Sequence, residues 1–121
     1  MTAQRVVVAS LDEARAAIAA ARSRGVAAEL ESPPDAAITY GVLWFAELNR
    51  MLAQEFGSAA YRLTLDCADR ADLAHAALRE GLRRVRFGGH PAAMAALQDI
   101  ASQGDAEVAA IEPSRNGAGT A

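Results

Sequence analysis

Three short runs of this sequence carry side chains that can do chemistry. Asp66 and Cys67 stand together where an apolar run, residues 61–67, comes to its end. Arg84 and Arg86 alternate with Val85 and Phe87, and Gly88, Gly89 and His90 follow at once, ahead of Pro91. Ser32 closes an earlier run, residues 26–31, before two prolines. A carboxylate at the C-terminal end of a strand sits where β/α proteins gather their acid–base groups. It equally well caps the next helix or pairs with Arg84 or Arg86 on a neighbouring strand. A carboxylate beside an arginine has a depressed pKa, the opposite of a poised acid. Gly88, Gly89 and His90 at a helix start offer backbone N–H groups and a positive dipole end. That is a cradle for a small phosphorylated or carboxylate ligand, which Arg84 and Arg86 would strengthen. The same glycines also serve simply as a tight turn, and the arginines as partners for carboxylates across a sheet or as guards of an edge strand.

Other chemistries have less to work with. The chain has two histidines, His75 within a helical stretch and His90 at a helix start, and a single cysteine. Cys67 and His90 both fall at strand ends, yet two ligands do not make a zinc site. No metal and no cofactor is therefore expected, and Cys67 reads as a buried, inert thiol. Ser32, His90 and Asp66 can be drawn as a Ser–His–Asp set, but no nucleophile-elbow pattern surrounds the serine. There is no lysine at all, so every one of the 12 cations is arginine. Schiff-base aldolases, Walker-type phosphate loops, pyridoxal-phosphate enzymes and phosphoacceptor receiver domains each need one, and all four are excluded.

The elements that must position these residues alternate strand and helix. A β-branched run at 5–9 leads to Ser10, an N-cap followed by Asp12 and Glu13 in the first helical turn. Ala14, Ala17, Ile18 and Ala21 line one face of that helix, and Gly25 ends it. Residues 26–31 read as a second strand, and the Pro33-Pro34 pair opens a loop. Helices are expected at 42–56, near 69–80 and from Pro91 onward. Strands are expected at 61–67 and 82–87, with 105–111 as a candidate short fifth strand. Such alternation implies parallel pairing. Several strands also alternate in polarity: Glu29 and Glu31, then Arg62, Thr64 and Asp66, then Arg84 and Arg86 each share one face. Leu63, Leu65, Val85 and Phe87 take the other. Helices should therefore cover mainly one face of the sheet, leaving a charged face open, with strands in the order 1-2-3-4.

The stretch LTLDCADRADLAHAALREGLRRVRFGGH, residues 63–90, resembles the third and fourth β/α units of class II, zinc-dependent fructose- and tagatose-bisphosphate aldolases. Leu65 and Asp66 match the L-D of that family's H-L-D-H-G run, Gly81 and Leu82 its A-G-F/L turn, and Val85, Phe87 and Gly89 the next strand and its end. Ser32 and the Tyr40-Gly41 turn match earlier positions. Thr64 and Cys67 stand where the family has histidines, and Gly88 where it has an aspartate. The resemblance implies a β/α-barrel ancestry over roughly residues 6–112. It also implies that Asp66 matches a proton donor to the nascent alcohol. A chain of 121 residues is well short of an eight-unit barrel, which takes about 200 or more.

Composition sets further limits. The net charge of −3 comes with no block of like charges, so neither nucleic acid nor an anionic membrane is indicated as partner. No apolar run is long enough for a membrane span. The start lacks signal-peptide features, and one cysteine cannot form an intramolecular disulfide framework, so a cytoplasmic setting is expected. Around Trp44 and Met51 the helix at 42–56 carries an apolar band wider than one core-facing stripe needs. It reads either as a deeply buried helix or as a self-association face. The expectation is thus an α/β chain forming a partial (βα) barrel: four βα units, parallel, with helices mainly on one face. Residues 1–112 would form one domain and 113–121 a disordered tail. Functionally it reads as a non-catalytic or small-anion-binding relative of the N-terminal part of class II aldolases, working as a homodimer. The alternative is a lyase or isomerase acting on a phosphorylated sugar, with Asp66 as acid/base and its site completed by a second subunit.

Overall fold

Five parallel strands lie side by side in chain order, β1-β2-β3-β4-β5, in a computed structural model that describes residues 4–111. The strands are β1 (Arg5–Val7), β2 (Ala28–Glu31), β3 (Tyr61–Asp66), β4 (Arg84–Phe87) and β5 (Glu107–Ala110). The helices are α1 (Leu11–Ser23), α2 (Ala36–Thr39), α3 (Val42–Phe56), α4 (Ala71–Arg79) and α5 (Pro91–Gln103), with a 3₁₀ turn at Ser58–Ala60. The fold class and the strand order agree with the sequence reading. The expected tail at 113–121 lies outside the described residues.

Local chemistry explains the boundaries. Ser10 accepts from the Glu13 amide at 3.1 Å while Glu13 reaches back to the Ala9 amide at 2.8 Å. This reciprocal cap starts α1 and turns the chain out of β1 at Val7, two residues earlier than expected. The β2 ladder begins at Ala28 rather than residue 26, because the Val26 amide still closes the end of α1 on the Ala21 carbonyl. Leu82 does the same for α4 through the Ala77 carbonyl, so β4 begins at Arg84. The short α2 and the 3₁₀ turn were not foreseen. Four and three residues are too few to show a hydrophobic period. Asp35 enters α2 from a left-handed conformation, φ 59°, directly after the two prolines.

One face of the sheet builds the core. Val8, Leu30, Leu63, Leu65, Val85, Phe87 and Val108 are buried against Ala14 and Ile18 of α1, Phe45, Leu48 and Leu52 of α3, Ala74 and Ala77 of α4, and Leu97 and Ala101 of α5. Burying a side chain of Leu or Phe size contributes roughly 1.5–3 kcal/mol, and the alanines let the helices approach closely. The opposite face carries the charged positions of every strand. Register aligns them in rows: Arg5, Glu29 and Arg62; then Val7, Glu31, Thr64, Arg84 and Glu107; then Asp66, Arg86 and Ala109.

The turn after β4 is sterically tight. A Cβ on Gly89 would collide with the Phe87 ring, coming 2.9 Å from its Cε1, and would stand 3.1 Å from the Asp69 carbonyl oxygen. A Cβ on Gly88 would meet only the Ile111 side chain, at 3.1 Å. Gly89→Ala should therefore cost about 1–3 kcal/mol through displacement of a buried ring, with a lower urea midpoint. Gly88→Ala should cost clearly less. Equal midpoints for the two variants would contradict this packing account.

Candidate functional site

Three places in the structure gather polar or exposed groups: the C-terminal strand ends, the open sheet face, and the corner between α2 and α3. At the strand ends Asp66 is engaged by its own backbone. Its Oδ1 accepts from the Ala68 amide at 2.8 Å, and Ala68 sits in a left-handed conformation, φ 53°. The Ala68 carbonyl in turn accepts from the Gly88 amide at 2.8 Å, tying the end of β3 to the turn after β4. Ser32, nearly buried, accepts from the Asp66 amide at 2.9 Å and donates to the Pro33 carbonyl at 3.0 Å. Asp66 and Ser32 thus share a backbone lock between β2 and β3.

Cys67 is fully buried in the core cluster. Burial pushes its thiol up to about 12, with the Asp66 and Asp72 carboxylates adding to the rise. Its side is that of Leu63 and Leu65, whereas His90 caps α5, its Nδ1 accepting from the Ala92 amide at 3.0 Å. His75 is exposed on α4. Among the described residues no group of three His, Cys, Asp or Glu side chains is placed to hold a metal ion. In the Gly88–His90 turn the Gly88 amide is occupied by the Ala68 carbonyl, and the Ala92 amide in the first turn of α5 by His90.

Arg84 and Arg86 lie on the open sheet face, and carboxylates hold both. Arg84 pairs with Glu107 on the adjacent strand. Arg86 reaches across β3 to Glu31 of β2, at 2.9 Å, with side chains only 23% and 20% exposed. Arg62 pairs with Glu29 at 3.5 Å. These groups line a shallow depression of about 180 Å³ in the middle of the face. A larger cleft of about 550 Å³ opens at the N-terminal strand ends, between Tyr61, Arg62, Arg83, Arg84, Asp105 and Glu107. There Arg83 stands 3.6 Å from Asp105. The end of the sheet where β/α chemistry gathers is the other one.

The third place is apolar. Ile38, Tyr40, Leu43 and Trp44 are 50%, 42%, 68% and 39% exposed where α2 meets α3. Trp44 packs at 5.5 Å on the Tyr40 ring and at 4.8 Å on the Phe45 ring, so one side of the indole is anchored and the other faces out. Met51, further along α3, is half-buried. The band on α3 thus divides into a core stripe, Val42, Phe45, Leu48 and Leu52, and an exposed N-terminal corner.

The cross-strand pair Glu31–Arg86 and the partners of Arg84 and Arg62 were not read from the sequence. Alternation placed these residues on one face, but which carboxylate meets which arginine follows only from register. Comparison of the chain with family models, with curated proteins and with solved structures finds no match.

Two outcomes follow for the strand ends. Asp66→Ala removes the acceptor for the Ala68 amide and should lower stability by about 1 kcal/mol, while Asp66→Asn, which keeps an acceptor oxygen, should lower it less. Thermal or urea melts of both variants check this. For Cys67 the folded pKa is raised above the value of 9.0 taken for an unburied thiol. Its contribution to stability is therefore complete below pH 9 and is lost as pH rises toward 12, because only the unfolded chain releases the thiol proton there. The wild type should lose stability over that window more steeply than Cys67→Ala, and parallel pH–stability curves would contradict it.

Proposed function

We infer that the chain is a non-catalytic α/β docking module that works as a homodimer, with kinship to the N-terminal part of the class II aldolases. The observation that carries this reading is a face of an all-parallel sheet that the described residues leave uncovered. Parallel sheets occur almost only with both faces covered, and here the second face holds partly buried ion pairs rather than freely solvated side chains. The strand ends support the non-catalytic half of the reading. Asp66 and Ser32 hold the backbone, Cys67 is sealed in the core, and His90 caps its helix. At Arg84 and Arg86 a small carboxylate or phosphate would compete with Glu107 and Glu31 already in place, so macromolecular contact, which can exchange several pairs at once, fits the face better than a free anion does.

Sedimentation velocity from about 10 to about 500 µM chain, in a buffer of low ionic strength, is the direct test. The mass is expected to rise toward that of two chains across the series. A mass that stays at one chain throughout would reject self-association.

A further inference from the structure

The open sheet face is electrically neutral, and its charges form an ordered pattern. It holds four arginines, Arg5, Arg62, Arg84 and Arg86, and four carboxylates, Glu29, Glu31, Asp66 and Glu107. They are not mixed evenly. On this face β2 carries only carboxylates, Glu29 and Glu31, and β4 carries only arginines, Arg84 and Arg86. The central strand separates the two columns, with Thr64 midway along it. A neutral face has little net pull on a simple anion or cation. It is matched by a surface of the same shape with the β2 and β4 charges exchanged.

A second copy of the chain is such a surface. Building on the homodimer reading above, we propose that two copies stack sheet to sheet about a two-fold axis parallel to β3. That rotation keeps strand direction and exchanges left for right. β2 then faces the partner copy's β4, and the reverse holds on the other side of the axis; the acidic and basic pairs are offset by one row, so they overlap at Glu31 and Arg84. Because Glu31, Thr64 and Arg84 share one row, Glu31 of each copy meets Arg84 of the other, with Thr64 against Thr64 on the axis. On the outer strands Val7 of β1 takes the row of Glu107 on the opposing β5, with Arg5 two residues back along the strand. A two-fold axis across the strands would instead set acid on acid at β2 and base on base at β4. Only the two ends of β3 oppose like with like. There Arg62 is drawn sideways to Glu29 and Asp66 is turned into the bond with the Ala68 amide.

The size of the face sets the strength. Five strands about 4.8 Å apart and about four residues long give a footprint of roughly 300 Å² per copy. That is well under the roughly 800 Å² per partner of a standard interface. The dimer is therefore weak, fast and sensitive to salt, since exposed charges are screened over about 10 Å at 0.1 M ionic strength. An apolar dimer through the Trp44 corner would not dissociate on adding salt.

Charge reversal with mixing tests the arrangement. Glu31→Arg alone sets arginine against Arg84 at both symmetric contacts, and Arg84→Glu alone sets glutamate against Glu31. Each variant by itself should dimerise at least about tenfold more weakly than wild type. Mixed together, the two variants restore opposite charges at both contacts, so a heterodimer of near wild-type affinity is expected by sedimentation. Mixing cannot repair damage within one chain, so recovery reports complementarity between copies. The proposal is overturned if either single variant dimerises like wild type, or if mixing restores nothing. It is also overturned if Trp44→Glu leaves a folded monomer. Those results would leave the homodimer reading standing on another surface, whereas a monomeric wild type removes both. If circular dichroism shows either reversal variant unfolded, wild type decides: a dimer unaffected by about 1 M NaCl overturns the sheet-face contact.

Discussion

Among the described residues every strand in this sheet meets helices on one side and leaves the other open, and that two-sided demand governs the rest of the molecule. β3 shows it most plainly. Leu63, Leu65 and Cys67 point into the core while Arg62, Thr64 and Asp66 point out of it. A one-residue slip of β3 against its neighbours would carry both leucines into water and Arg62 under the helices. Desolvating an unpaired guanidinium costs several kcal/mol, against a total stability of about 5–15 kcal/mol for an ordinary domain. The charges on the open face thus act as a register device as well as a surface. The lock of Ser32 and Asp66 at the strand ends works in the same direction, fixing β2 against β3 at the point where the ladder stops.

The ion pairs on that face are not equivalent. Arg62–Glu29 and Arg84–Glu107 join adjacent strands, and one or both side chains are largely exposed. Pairs of this kind contribute about 0–1 kcal/mol each. Arg86–Glu31 differs because it skips a strand. Glu31 shares its row with Thr64 and Arg86 shares its row with Asp66, so the pair crosses β3 on a diagonal, and both charged side chains are largely shielded from water. The middle of the face is consequently the part whose charges are least available to a small ion.

Much of the architecture was legible in the sequence because the same alternation that governs the sheet is visible as text. Glu29-Leu30-Glu31 and Arg84-Val85-Arg86 announce half-covered strands, and Gly25, at positive φ, ends the first helix where expected. The α3 helix was read to its ends because a long apolar period fills residues 42–56. What was not legible depends on contacts distant in sequence. Glu31 and Arg86 lie 55 positions apart, and nothing local to either indicates that the pair crosses β3. At Asp66 the sequence left acid, cap and ion-pair roles open. The left-handed backbone at Ala68 is what turns the carboxylate onto its own turn, and an alanine there gives no warning of it. The Gly88-Gly89 pair carried both an anion-cradle and a turn reading. The closeness of the Phe87 ring to Gly89 explains one of the two glycines by packing alone.

Neither sheet edge offers an open ladder to a further strand. Amide direction alternates along a strand, and the Val8 amide donates inward to Glu31. The Val7 amide therefore lies on the outer edge of β1. That strand is only three residues long and carries Arg5, two devices that discourage further pairing. At the other edge the Glu107 and Ile111 amides turn inward to Arg83 and Phe87, which leaves Val108 and Ala110 facing out. There α5 intervenes, because the Gln98 side chain donates to the Val108 carbonyl at 3.3 Å. With one edge cut short and the other capped by a helix side chain, adding a strand from another molecule finds few backbone groups to satisfy. The broad face, by contrast, presents charged positions on all five strands.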